Sequence, residues 1–143
     1  MNKKLSTYVL LTLLACVGCS STNSKTIPKQ LVGLWTTDAP RYRGRFLELH
    51  EAYIIVGTGD GAADMQRVSH VESKAADYGT IYTIYSKDAE DMENQLSIIF
   101  KNDDGGQLYL ANQNEMIWKK CKGEQCGVED KITREDPQQT ATQ

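Results

Sequence analysis

Between residues 31 and 120, apolar side chains come in short runs rich in Ile, Val, Tyr and Thr, separated by clusters of Gly, Asp and Asn. β-Branched and aromatic residues suit a pleated surface and the breakers are turn formers, so the pattern predicts strands joined by tight connections. Strands are expected over 31–37, 45–50, 53–57, 65–72, 80–86, 96–101, 107–111 and 116–120. Phe46-Leu47-Glu48-Leu49 alternates apolar and polar positions, as a strand with one wet face does. Thr80-Ile81-Tyr82-Thr83-Ile84-Tyr85 alternates less cleanly, which fits a strand covered on both faces. Asn102-Asp103-Asp104-Gly105-Gly106 and Asn112-Gln113-Asn114 read as hairpin loops. The acidic stretch 88–94 reads as a loop or single turn. Seven or eight short strands with hairpin-length links predict an all-β fold, a small antiparallel meander β-barrel in preference to a sandwich.

The two ends follow other patterns. Lys3 and Lys4 precede an apolar run from Leu5 to Ala15, broken only by Ser6, Thr7 and Thr12. A membrane span needs about 20 apolar residues. This run is too short and its flanks are those of a cleaved signal peptide. Ser20-Ser21-Thr22-Asn23-Ser24-Lys25-Thr26-Ile27 is small and polar and reads as a flexible tether. The segment from Gly127 to Gln143 carries Ile132 and Val128 as its aliphatics, too few to order it, and reads as a disordered tail. The expected organisation is a signal peptide over 1–18 (or 1–15), a tether over 19–29, a barrel domain over 30–126 and a polar tail over 127–143.

The cysteines sharpen this. Leu13-Leu14-Ala15-Cys16 and Cys16-Val17-Gly18-Cys19-Ser20 resemble the lipobox of bacterial lipoproteins. The resemblance implies that Cys16 or Cys19, nearly balanced with a slight preference for Cys16, receives a diacylglycerol and becomes the acylated (for example palmitoylated) first mature residue. No Asp follows either cysteine closely. By the same resemblance this implies sorting to the outer membrane, facing the periplasm, with surface exposure as the other placement. Cysteines in such a compartment tend to be oxidised, and the Gly123 in Cys121-Lys122-Gly123-Glu124-Gln125-Cys126 lets that loop close, so a Cys121–Cys126 disulfide is expected. Half a metal site is the competing reading, but His50 and His70, the only histidines, lie far away in sequence.

Of 16 basic side chains, removal of Lys3 and Lys4 leaves 14 against 19 acidic ones, a net charge of −5. That balance argues against nucleic acid, whose binding needs dense Lys and Arg on phosphates. It leaves the lipid as the membrane attachment.

Leu31-Val32-Gly33-Leu34-Trp35-Thr36-Thr37 resembles the Gly-x-Trp start of the first strand in lipocalin-like barrels. The resemblance implies that Trp35 packs across the open end of the barrel and that Met116-Ile117-Trp118-Lys119-Lys120 is the last strand, pairing with the first.

Candidate binding residues are few. Arg41, Arg43 and Arg45 alternate with Tyr42 and Gly44; if extended, they point the same way and can grip carboxylates or phosphates. The plainer reading is a solvated edge that discourages sheet association. Gly57-Thr58-Gly59-Asp60-Gly61 is glycine-rich but lacks the Gly-Lys-Ser/Thr ending of a phosphate loop and the ligand spacing of a calcium loop. It reads as a wide turn at a barrel mouth, with Gly57, Gly59, Asp60 and Gly61, together with Trp35 at the open end, available for binding. His50 and His70 read as surface strand residues, and Tyr78, Tyr82, Tyr85 and Tyr109 as core or cross-strand packing. No catalytic residue, metal ligand or cofactor motif stands out. The expected function is therefore non-enzymatic: a membrane-anchored periplasmic binding module for an envelope component, a protein or a small apolar ligand. The alternatives are an inhibitor of lysozyme-type hydrolases, as some small barrel lipoproteins are, and a hydrolase built on carboxylates at the barrel mouth.

Overall fold

The structure is a computed structural model and describes residues 21–122. Nine strands follow in order: β1 (Ser21–Ser24), β2 (Gly33–Thr36), β3 (Arg45–Leu49), β4 (Tyr53–Thr58), β5 (Ala63–Ala76), β6 (Gly79–Lys87), β7 (Glu93–Lys101), β8 (Gln107–Leu110) and β9 (Gln113–Lys120). Each of β2 to β9 pairs antiparallel with its neighbour in sequence, and β9 returns to pair with β2 through Trp35↔Lys120 and Thr36↔Lys119. The result is a closed eight-stranded antiparallel meander barrel with β1 added outside, consistent with a small lipocalin-like barrel. Closure removes the free edges that an open sheet of this length would leave.

All eight expected strands are present. The differences lie at their ends and have local causes. β5 is longer than expected, because a bulge between Val68 and His70 lets the strand bend and continue to Ala76. The bulge also moves the inward face, from Gln66 and Val68 before it to the fully buried Val71 after it. β4 pairs with β5 only from Ala63 to Arg67, which leaves the far half of β5 without a partner on that side. β1 fills the gap, matching Ser21↔Lys74 through Ser24↔Val71, with Thr22 Oγ1 2.9 Å from Ser73 Oγ. The stretch expected to be a flexible tether therefore contains a docked strand. Its polar composition suits a strand whose side chains are all exposed.

β6 is also corrected. Tyr82, Ile84 and Ser86 face inward and are buried, whereas Ile81, Thr83 and Tyr85 are half-buried on the outer wall, so the strand is not covered on both faces. Tyr78, expected in packing, instead sits exposed in the β5–β6 turn. The next residue, Gly79, must be glycine, since its φ is +142° and a Cβ there would lie 2.5 Å from the Phe100 carbonyl oxygen.

The core runs the length of the barrel, from Ile27, Leu31 and Trp35 through Leu49, Ile54, Ile84 and Ile98 to Leu47 and Trp118. One end is sealed. The Ile27 N–H donates to Glu51 O, and a turn closed by Leu31 N–H to Pro28 O (2.9 Å each) holds Ile27 and Leu31 within the barrel. The Gln30 amide donates to Tyr82 Oη at 2.6 Å across that end. Trp35, fully buried, donates from Nε1 to Leu31 O at 2.8 Å, meets Phe100 edge-on and lies under Lys120 Nζ, 5.5 Å from the ring centroid. The Gly-x-Trp tryptophan therefore lies at the sealed end and not across an open one, because Ile27 and Leu31 plug the end that its ring reaches. No helix of the described residues is long and apolar enough to cross a membrane.

Trp35→Phe removes both ring volume and the partner of a buried carbonyl. It is expected to destabilise the barrel by about 2–4 kcal/mol in urea unfolding.

Candidate functional site

The opposite end of the barrel is built from the β2–β3 connection, the β4–β5 and β6–β7 loops and the β8–β9 turn. Pro40 starts a 3₁₀ turn over Pro40–Tyr42, because its ring fixes φ near the helical value. That turn carries Tyr42 over the barrel mouth. The Tyr42 hydroxyl donates to Gln113 Oε1 at 2.7 Å, and the Tyr42 ring meets the Trp118 indole edge-on at 6.2 Å. Gln113 is in reach because the β8–β9 ladder shifts between Tyr109 and Leu110.

Tyr42 and Gln113 form a partition with a hollow on either side. The inner one, about 300 Å³, is lined mainly by apolar groups, among them Phe46, Val56, Leu96, Leu110 and Trp118. Val56, Leu96, Leu110 and Trp118 face inward near the mouth-side ends of their strands, whereas Phe46 alternates with the inward Leu47 and reaches the hollow from the outer face of β3. Gly57 also lines it: Phe46 lies where its Cβ would stand, at 2.3 Å, so glycine lets that ring tuck against the wall. Arg45 sits at the rim, its guanidinium carbon 5.2 Å from the Tyr42 ring centroid. The outer hollow, about 420 Å³, is more polar and includes Arg41, Asn112 and Glu115. Trp118 is 4% exposed, and among the described residues its Nε1 is the buried side-chain nitrogen or oxygen without a hydrogen-bond partner. An unpaired buried donor costs about 1–3 kcal/mol. This cost sits in the wall of the hollow.

The extended backbone that an arginine comb needs is absent. Arg41 lies in the 3₁₀ turn, Arg43 follows it and Arg45 begins β3, so the alternation that needs extended backbone is broken by Pro40. All three are exposed. The glycine-rich segment is partly strand: Gly57 and Thr58 belong to β4, Gly57 is buried, and the loop proper is Gly59 to Ala62. Asp60 organises that loop by accepting hydrogen bonds from Thr58 Oγ1 and the Ala62 N–H. The Thr58 hydroxyl, then the Ala62 and Asp60 backbone N–H groups, hold the Asp60 carboxyl below its ordinary value of 3.8, with Arg45 adding a smaller attraction. Gly59 and Gly61 take positive φ. Trp35, expected at the open end, does not line this hollow; its ring lies against Phe100 and the Leu31 carbonyl.

The histidines are on the outer wall and apart. His50 stacks on Tyr53 with ring centroids 4.1 Å apart, and its Nε2 is 2.8 Å from Glu48 Oε1. His70 stacks on Tyr85 at 4.2 Å, with Glu72 Oε1 4.0 Å from Nε2. Burial first, and then the Glu72 carboxylate, push the Tyr85 hydroxyl above its usual range. Among the described residues no group of three His, Cys, Asp or Glu is placed to hold a metal ion. Cys121 lies beside β2: its N–H donates to Leu34 O at 2.8 Å and its Sγ is 3.5 Å from Thr36 Oγ1. Cys126, like Cys16, Cys19 and the segment 127–143, lies outside the described residues.

Phe46, Val56, Leu96, Leu110 and Trp118 were legible as strand residues but not as a site. Only the strand register brings them together, and the bulge and the β8–β9 shift that set it leave no local mark in the sequence. Comparison of the chain with protein-family models, with curated proteins and with solved structures finds no match in any of the three.

Two outcomes follow from this geometry. Trp118→Phe removes the unpaired donor together with some packing, so the terms oppose, and the variant should stay within about 1.5 kcal/mol of the wild type in urea unfolding. In an NMR titration Asp60 should ionise below 3.8, and Thr58→Val should move its midpoint up. The sign is that of a depressed carboxylate. Its contribution to stability is present above the unfolded pKa and is lost as pH falls through the folded one.

Proposed function

We propose that the chain is a non-enzymatic binding module, held at the bacterial outer membrane by an acylated Cys16 or Cys19 and facing the periplasm, which receives an apolar group of an envelope component in the barrel mouth. The observation that carries this reading is the hollow lined by Phe46, Val56, Leu96, Leu110 and Trp118. Its size is at the lower end of small-molecule sites, which run from roughly 300 to 1,000 Å³. Leu49, Ile54, Ile84 and Ile98 fill the core between the hollow and the sealed end, so the site suits one end of an acyl chain or an apolar side chain rather than a whole lipid inside the barrel. Arg45 at the rim and the Tyr42–Gln113 pair supply polar contacts for whatever the apolar group is attached to. The compartment is oxidising, which suits a Cys121–Cys126 bridge fastening the end of β9.

The test is a calorimetric titration with n-octyl-β-glucoside below its micellar concentration. The wild type should bind, and Leu110→Glu, which puts a charge in the hollow, should bind at least about tenfold more weakly, a loss of roughly 1.4 kcal/mol. No binding by the wild type, or equal binding by the folded variant, would overturn the reading.

A further inference from the structure

We infer that β1 is an orienting strut: it holds the barrel with its sealed end against a lipid surface and its open mouth turned away. The inference rests on the lipid anchor proposed above and adds to it a direction. Three observations carry it. First, Ser21 pairs with Lys74, three residues before the Asp77-Tyr78 turn that joins β5 to β6. That turn belongs to the sealed end, together with the β3–β4 turn at Glu51 and the Ile27–Leu31 plug. Second, the chain that follows β1 is fixed as well. Ile27 is 1% exposed and its N–H bonds to Glu51 O, so β1 has only Lys25 and Thr26 between itself and a buried anchor. Third, Tyr78 stands 55% exposed at the tip of that same turn. An aromatic ring with a polar tip is suited to a headgroup boundary.

Chain geometry turns these observations into a distance. An extended chain spans at most about 3.6 Å per residue. Cys19 precedes Ser21 by two residues and Cys16 by five. With β1 docked, the lipid attachment therefore lies within about 7 or about 18 Å of Ser21. With β1 released, the fixed point becomes Ile27, and the leash to Cys19 or Cys16 lengthens to about 29 or about 40 Å. The first arrangement holds the sealed end near the bilayer; the second lets the barrel tumble. β6 runs from Gly79 at the sealed end to Lys87 at the mouth, so at about 3.3 Å per residue the two ends differ by roughly 26 Å along the strand. The exposed charges on the elements of the sealed end are mixed, Lys25, Lys29, Lys74 and Lys122 occurring there together with Glu51, Asp77, Asp103 and Asp104. Orientation therefore comes from the strut and not from attraction to anionic lipid.

The experiment uses the full acylated protein, purified from membranes, checked by intact mass and placed in phosphatidylcholine nanodiscs doped with a gadolinium-chelating lipid. Amide signals of Asp77, Tyr78 and Gly79 should broaden severalfold more than those of Ala89, Glu90 and Asp91 in the β6–β7 loop. In Thr22→Pro/Asn23→Pro, which cannot maintain the β1 ladder but leaves Ile27 in place, the difference between the ends should collapse while the barrel spectrum persists. An acylated protein with equal broadening at both ends, or more at the mouth, overturns the strut and leaves the anchor standing. A double-proline variant that keeps the wild-type difference overturns the role of β1. A mass without acyl chains overturns the anchor and the strut together.

Discussion

Closure of the sheet by β9 on β2 is the constraint on which the other features depend. The joining ladder is short, Trp35↔Lys120 and Thr36↔Lys119, and is extended by the Cys121 N–H to Leu34 O. Backbone bonds of this kind contribute only about 1 kcal/mol each. The seam is therefore held chiefly by what it encloses. Trp35 is buried beneath it, tied to Leu31 O, packed against Phe100 and covered by Lys120 from the closing strand. A single side chain thus joins β2, β9 and the plug.

The two ends of the barrel divide the work. Where Ile27 and Leu31 turn in, hydrogen bonds and apolar contacts are satisfied and the end is shut. At the other end Tyr42 leans over the opening on a 3₁₀ turn, and the inner wall ends in apolar residues that have no plug to meet. An unpaired indole donor in that wall fits a region shaped for something other than maximal stability. In the proposed reading an apolar group completes the core there, and β1 presents the mouth away from the lipid.

Much of the fold was legible because a strand writes itself into the sequence at a period of two. Phe46-Leu47-Glu48-Leu49 and the hairpin loop at Asn102-Asp103-Asp104-Gly105-Gly106 came out as read, and Trp118 fell on the closing strand. Errors arose where local composition and long-range pairing disagree. Ser21 to Ser24 has the composition of a linker, yet it becomes a strand because β5 outruns β4 and leaves a backbone edge open. Arg41, Arg43 and Arg45 have the spacing of a comb, but one proline bends the chain beneath them, and their exposure fits the plainer reading of solvated side chains. The mouth site was not visible, because the bulge near Ser69 and the shift at Leu110 decide which side chains share it.

The central claim is that one end of the barrel is sealed and the other receives an apolar group, and the two tryptophans report on the two ends separately. The most direct measurement is a two-dimensional NMR spectrum of the indole N–H groups while an n-octyl ligand is added. The account predicts that the Trp118 signal moves in proportion to ligand bound while the Trp35 signal, fixed by Leu31 O, stays in place. Movement of the Trp35 signal with Trp118 unmoved would contradict it.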